Sequence, residues 1–275
     1  MLVDFKSVGP FALLALMGIS DSPGVDPTVG FTTTPQSVVE GMLDLAEVGS
    51  TDYVIDLGSG DGRIVIAAAR RGALAHGVEI EPDLVALSRE KAREAGVRER
   101  VRFLEQDFFQ TDLRMASVVT LYVLESTNIR LKPLLLEQLA PGSRVVSHRY
   151  GMGEWLPDAT REIDLRTIHQ WIVPANFGGT WRWQDEEWNG TMEVRQRFQE
   201  AEILRFDVGQ LELQVASARI RADGITIAAE DPESGTRFVF QGLLVGDRIK
   251  GHGLQTAADR QIFSDWRPQR LPIER

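Results

Sequence analysis

The stretch YVIDLGSGDGR (residues 53–63) constrains the fold more than any other part of the chain. An unbroken apolar run bounded by turn residues reads as a strand buried on both faces. The glycines at 58, 60 and 62 let the backbone turn sharply and pass close to a ligand. A helix-forming run follows at once, so the segment reads as the opening β-turn-α unit of a parallel sheet.

The next hundred residues repeat this alternation. LAHGVEI (74–80), VRFLEQD (101–107), SVVTLYVL (117–124) and RVVSHRY (144–150) read as strands two to five. PDLVALSREKAREAG and NIRLKPLLLEQLAPG read as helices between them, and REIDL with TIHQWIVP as an antiparallel pair at the sheet edge. Upstream, TTTPQSVVEGMLDLAEVG places Thr34 at an N-cap and Pro35 at the first helical position. Val38, Val39, Met42, Leu43 and Ala46 then make one apolar stripe. After PANFGG (174–179) the helical period stops, and short alternating runs are separated by turn signals such as ADG, DPESG and VGD. The expected class is α/β: a Rossmann-like, doubly wound, mostly parallel sheet, followed by a small all-β domain of barrel or sandwich type. The expected divisions are a leader over 1–30, the α/β domain over 31–175 and the β domain over 180–270. Trp181 and Trp183, two apart, share one face of a strand; a core stripe is the expected role, an aromatic binding face the sharper alternative.

Composition narrows the chemistry. The chain has no cysteine, and its four histidines are scattered, so no metal site is expected. Net charge is −10, and each half, 1–150 and 151–275, carries 20 acids against 15 Lys/Arg. A nucleic acid is therefore not the expected partner, and a basic protein is more compatible. The apolar run SVGPFALLALMGIS (7–20) is too short and too broken by Gly and Pro to span a bilayer, and Asp4 spoils a basic leader before it. A buried or partly ordered leader is expected, with export or a loose membrane anchor as the alternative.

The loop chemistry indicates the cofactor. A dinucleotide site would carry a third glycine at position 63, where this chain has Arg63. Asp56 before the turn and Asp61 within it would oppose a pyrophosphate, yet suit a ligand with a cationic amino-acid end, S-adenosyl-L-methionine (SAM). Glu79 ends strand two and can accept from both ribose hydroxyls. Asp107 ends strand three and can accept from an adenine amino group, with Phe108 flanking the ring. Around the end of strand four, Thr120, Tyr122, Glu125 and Asn128 are the polar candidates for positioning a methyl acceptor. No proline follows TLYVLESTN, so the Asn/Asp-Pro-Pro-Tyr turn used for amide and nucleobase acceptors is missing. Ser147 and His148 are adjacent on a strand and face opposite ways, so they make no nucleophile–base pair.

These segments resemble the class I, seven-stranded SAM-dependent methyltransferases. The likeness is closest to the lysine methyltransferases related to the ATP synthase c-subunit enzyme and to archaeal broad-specificity lysine methyltransferases. FTTTPQSVVEGML, DLGSGDGRIVIAAA, GVEIEPDL, VVTLYVL and LAPGSRVVSHRYGMGEW match in order and spacing over roughly 30–157. The resemblance implies that Asp56, Gly58, Ser59, Gly60 and Asp61 hold the methionine end, Glu79 the ribose and Asp107 the adenine. It also implies that Thr33 and Thr34 approach the cofactor. The expected activity is N-methylation of protein lysine in the cytoplasm. The alternatives are a small-molecule methyltransferase and a SAM-binding protein whose β domain carries the function.

Overall fold

Every residue of the second to fifth positions of β1 (Tyr53–Leu57) is buried, as the unbroken apolar run requires of a central strand. The computed structural model describes residues 32–185, 188–258 and 260–272, so the leader and Phe31 lie outside the described residues. Around β1 lie β2 (Leu74–Glu79), β3 (Val101–Glu105), β4 (Val118–Leu121), β5 (Arg144–His148), β6 (Ala159–Ile163) and β7 (Arg166–Ile172). They form one sheet in the order β3-β2-β1-β4-β5-β7-β6. The first five strands run parallel, and β7 lies antiparallel between β5 and β6, the reversed edge hairpin expected of the sequence. Because the chain leaves β1 toward β2 on one side and later returns as β4 on the other, a crevice opens beyond the carboxyl ends of β1 and β4.

Helices α1 (Gln36–Leu45), α2 (Arg63–Arg70), α3 (Pro82–Glu94) and α4 (Glu125–Gln138) cover the sheet. On one face Val38, Met42, Val65 and Ala68 pack on Val54 and Val118. On the other, Leu131 and Leu135 of α4 pack with Ile55, Val119, Trp155 and Trp171. Two helix starts differ from the sequence pattern. α1 begins one residue later than expected, with Pro35 as its cap, because the Thr34 hydroxyl is engaged by His148 instead of by the helix. α4 begins at Glu125 rather than Asn128, an acid in the first turn being favourable there.

The second sheet comprises β8 (Gly179–Gln184), β9 (Asn189–Arg197), β10 (Glu200–Val208), β11 (Leu211–Glu212), β12 (Gln214–Arg221), β13 (Gly224–Glu230), β14 (Arg237–Val245), β15 (Arg248–Thr256), β16 (Gln261–Trp266) and β17 (Gln269–Arg270). Pairing of β9 with β10, and of β15 through β17 with β8, closes an antiparallel barrel of eight strands, with β11 and β16 outside the ring. Inward positions alternate with outward ones along the strands, interrupted by bulges at Leu204 of β10 and Ala216 of β12. Trp181 and Trp183 point inward with Phe206, Phe240 and Trp266, so the tryptophan pair is a core stripe and not a binding face.

The residues 31–275 cluster as one compact unit. The turn between β9 and β10 joins the two sheets: Gln199 accepts from the Trp155 indole at 2.8 Å and donates to Asp158 at 2.7 Å, while Phe198 stacks on Trp155. Gln199→Ala leaves the buried indole N–H unpaired, which costs about 1–3 kcal/mol. Thermal denaturation should read a Tm lower by roughly 2–8 °C.

Candidate cofactor and acceptor site

The glycine turn is built by contacts from three elements. Gly58, Gly60 and Gly62 all have positive φ, and the Gly58 and Ser59 N–H groups donate to Val78 of β2. The Gly60 N–H donates to Glu79 at 2.8 Å, while Ser88 of α3 donates to the Gly60 carbonyl. A Cβ placed on Gly58 would meet Val123 at 3.6 Å and Phe108 at 4.0 Å. The bare backbone there is faced by one side chain from the β3 loop and one from the β4 loop.

Asp56 lies one step inside the turn, fully buried, opposite Thr120 in the β1–β4 register. Thr120 donates to it at 2.6 Å. Burial pushes the Asp56 carboxyl up to about 7; Thr120 opposes this, and the nearby charges of Glu79 and Asp61 add to it. A buried acid with one neutral donor and no protein cation beside it among the described residues is a place where a ligand cation would be welcome.

Asp61 is in the opposite condition. Arg63 grips it with Nε at 2.9 Å and Nη2 at 2.7 Å, and Lys91 of α3 reaches it at 2.6 Å. Burial alone would raise its pKa, but these two cations outweigh burial and hold it at about 2. Arg63 also donates to the Thr34 carbonyl at 2.8 Å, tying the segment before α1 to the loop. Asp61 therefore anchors the loop with its charge already compensated.

The other expected residues fall as follows. Glu79 accepts from Gly60 on one oxygen and from Ile80 and Glu81 on the other. That occupies three of roughly four acceptor positions of a carboxylate. Asp107 caps the short turn Phe108–Gln110 by accepting from Phe109 on Oδ1. Its Oδ2 makes no hydrogen bond among the described residues. The Ser59 hydroxyl is buried over Gly77, without a hydrogen-bond partner among the described residues. Thr33 is exposed and Thr34 buried.

On the acceptor side, the Tyr122 ring lies 4.0 Å from His148 and stacks on Tyr150 at 6.3 Å. The His148 imidazole meets the Thr34 hydroxyl at 3.2 Å. Burial, then the charges of Arg166 and Arg149, lowers its pKa to about 4, so it is neutral at pH 7 and a weak base. Ser147 points to the other side, toward Asn128. Asn128 is fully buried and donates to the Tyr150 and Gly151 carbonyls, so it shapes the loop after β5. Glu125 is exposed at the start of α4, near Gly151. Sequence reasoning misses Arg63 as an active participant, and Lys91, Ser88 and Tyr150 altogether. None of these carries a spacing signal, because their partners lie in other elements.

The donor set fits SAM: backbone exposed at glycines, a buried acid lacking a cation, and acids at the ends of β2 and β3 beside an aromatic ring. Together with the strand order and the reversed edge hairpin, it defines a SAM-dependent methyltransferase. A family model, the ANTKMT methyltransferase domain, matches residues 56–159. A protein-lysine N-methyltransferase of Saccharolobus islandicus is 39% identical over 153 residues, which is 54% of this chain and 95% of that protein. The Mus musculus lysine N-methyltransferase named for the ATP synthase c-subunit is 35% identical over 137 residues, 50% of this chain but only 55% of that enzyme. A crystal structure described as an RNA methyltransferase from Salinibacter ruber, in complex with S-adenosyl-L-homocysteine, is 51% identical with a TM-score of 0.52. It corresponds to 53% of this chain and 96% of that one. The chain belongs to this family of SAM-dependent methyltransferases. Among the described residues, no group of three or more His, Cys, Asp or Glu side chains is placed to hold a metal ion, and no helix is long and apolar enough to cross a membrane.

Proposed function

We propose that the protein methylates the side-chain amine of lysine in a protein substrate, with residues 31–175 as the catalytic domain and 180–270 as an accessory domain. The observation that carries this reading is the match to nearly the whole length of the archaeal protein-lysine N-methyltransferase. SAM, when bound, supplies a methyl group on a sulfonium, open to in-line displacement. Asp56 is the residue to accept from the methionine ammonium, since Asp61 is already neutralised by Arg63 and Lys91. The one acceptor position left on Glu79 suits a ribose hydroxyl, the free Oδ2 of Asp107 the adenine amine, and Phe108 the ring face. Gly58 and Gly60 offer bare backbone. Ser59 shapes the turn, its N–H donating to Val78 and its carbonyl accepting from Gly62, and Thr34 contributes through the wall it forms with His148.

The acceptor amine must be aligned and deprotonated, because a lysine ammonium has a reference pKa of about 10.4. Tyr122 and Tyr150 offer aromatic faces to an alkylammonium, and Glu125 at the rim attracts it. Asn128 acts indirectly, by holding the loop that carries Tyr150. The proton leaves to solvent, since His148 is too weak a base to take it. A cytoplasmic location follows from the supply of SAM in the cytosol.

A second reading, an RNA acceptor, is favoured by the 51% identical neighbour described as an RNA methyltransferase. Labelled SAM incubated with the purified full chain, and with cell-lysate protein, total RNA and a metabolite extract in parallel, separates the possibilities. The expected result is label in protein, which mass spectrometry places on lysine. Label confined to RNA or to low-mass products overturns the lysine reading.

A further inference from the structure

One patch on the outer face of the barrel is cationic in a chain that is acidic as a whole. A concavity of about 700 Å³ lies over strands β12 to β15, and no Asp or Glu among the described residues lines it. Strand register sets Arg219, Thr226, Gln241 and His252 side by side across four strands. The next outward row runs Arg221, Gly224, Leu243 and Lys250. Gly224 lacks a side chain, so the floor is low between Arg221 and Leu243. At the strand spacing of a sheet, Arg221 and Lys250 stand about 14 Å apart, and Arg219 follows Arg221 at about 7 Å.

Arg219, Arg221 and Lys250 form no side-chain hydrogen bond or ion pair among the described residues, although the chain carries a net charge of −10. The two nearest acids in register, Glu200 and Asp265, flank the concavity without lining it, and Asp265 is paired with Arg267. At the rim, Phe263 is 66% exposed and its ring stacks on His252 at 4.9 Å. An exposed flat ring pair beside three unpaired cations is more than a charged patch needs.

We propose that this face binds a single-stranded nucleic acid, with phosphates at Arg219, Arg221 and Lys250 and a base on the Phe263–His252 pair. An acidic peptide would use the cations alone, whereas a base stacked on an aromatic platform uses both features. The site is separate from the methyl-transfer crevice, and the inference holds whichever acceptor is methylated.

The test is fluorescence anisotropy of a labelled oligouridine of about 10 nucleotides with the full chain. Binding should weaken with salt, with a log–log slope near −2, from about 0.7 released ion for each of three phosphate contacts. R219E/R221E/K250E should weaken binding at least tenfold. Phe263→Ala, which leaves the charges in place, should weaken it roughly fivefold or more. All four residues are exposed, so Tm and S-adenosyl-L-homocysteine affinity should stay unchanged. Three outcomes overturn the proposal: no binding at low salt, binding insensitive to both variants, or tighter binding of an equally charged labelled oligoglutamate.

Discussion

Replacing Gly62 by alanine should cost the folded protein about 2–5 kcal/mol and lower Tm by roughly 5–15 °C, with loss of cofactor binding. Two independent penalties combine at this residue. Its φ of 77° lies in the left-handed region, where a Cβ costs about 1–2 kcal/mol. The added Cβ would also sit 2.7 and 2.8 Å from two ring carbons of Phe103 and 2.9 Å from the Ser88 Cβ. Neither neighbour can retreat: Phe103 is buried in the sheet core, and Ser88 is buried with its hydroxyl shared between Gly60 and Leu84. Displacing Ser88 releases the Gly60 carbonyl, so the damage enters the turn itself. Gly96→Ala separates the two penalties, because Gly96 also has positive φ (70°) but nothing within 4 Å of a Cβ. It should lose only the backbone part, about 1–2 kcal/mol, and keep its affinity for S-adenosyl-L-homocysteine. Differential scanning calorimetry and ligand titration on both variants check this. Equal losses in the two would mean that crowding against Phe103 is unimportant.

The same neighbourhood marks what a sequence can disclose. Strands β1, β2, β4 and β5 are legible because burial on both faces leaves few polar positions within them, whereas β3, at the sheet edge and buried only at Phe103, is legible through its place in the alternation. The tryptophan stripe is legible because alternation has period two. Arg63 is visible only as a missing glycine. Its reach to the Thr34 carbonyl depends on where the chain before α1 passes, which local pattern does not encode. Lys91 is one of several charged residues on a polar helix, and only the packing of α3 against the turn brings it to Asp61. Thr120 groups with the acceptor residues by its place in strand four; the β1–β4 register pairs it with Asp56 instead. The barrel's closure rests on β17, two residues long, too short for any periodic signal. The capping turn at Asp107 and the backbone bonds to Glu79 show a further ambiguity: an acid at a strand end serves the turn and a ligand with the same lone pairs.

That ambiguity does not extend to Asp56, whose buried carboxyl has a single neutral donor, and its titration should appear in binding. In the free protein burial, aided by Glu79 and Asp61 and opposed by Thr120, holds the group at about 7, against 3.8 unfolded. The folded state therefore binds the extra proton between these values. The stability that Asp56 contributes is complete below about pH 4 and is lost as pH rises through 7. A ligand ammonium beside it favours the carboxylate, so binding must expel that proton at low pH. Affinity for S-adenosyl-L-homocysteine should rise about tenfold between roughly pH 6 and pH 8, as the ionised fraction grows from about a tenth to nine-tenths. Calorimetry in buffers of different ionisation enthalpy should detect proton release on the acid side of this range. Asp56→Asn keeps an oxygen for Thr120 but cannot ionise. Its affinity should be independent of pH and about tenfold below wild type at pH 8, with Tm no longer falling on account of this group between about pH 4 and pH 7. A wild-type affinity that stays flat from pH 6 to pH 8 would remove Asp56 as the partner of the ammonium. The compensated Asp61 could take its place only by giving up Arg63 or Lys91, and either exchange would also loosen the turn from Thr34 or from α3.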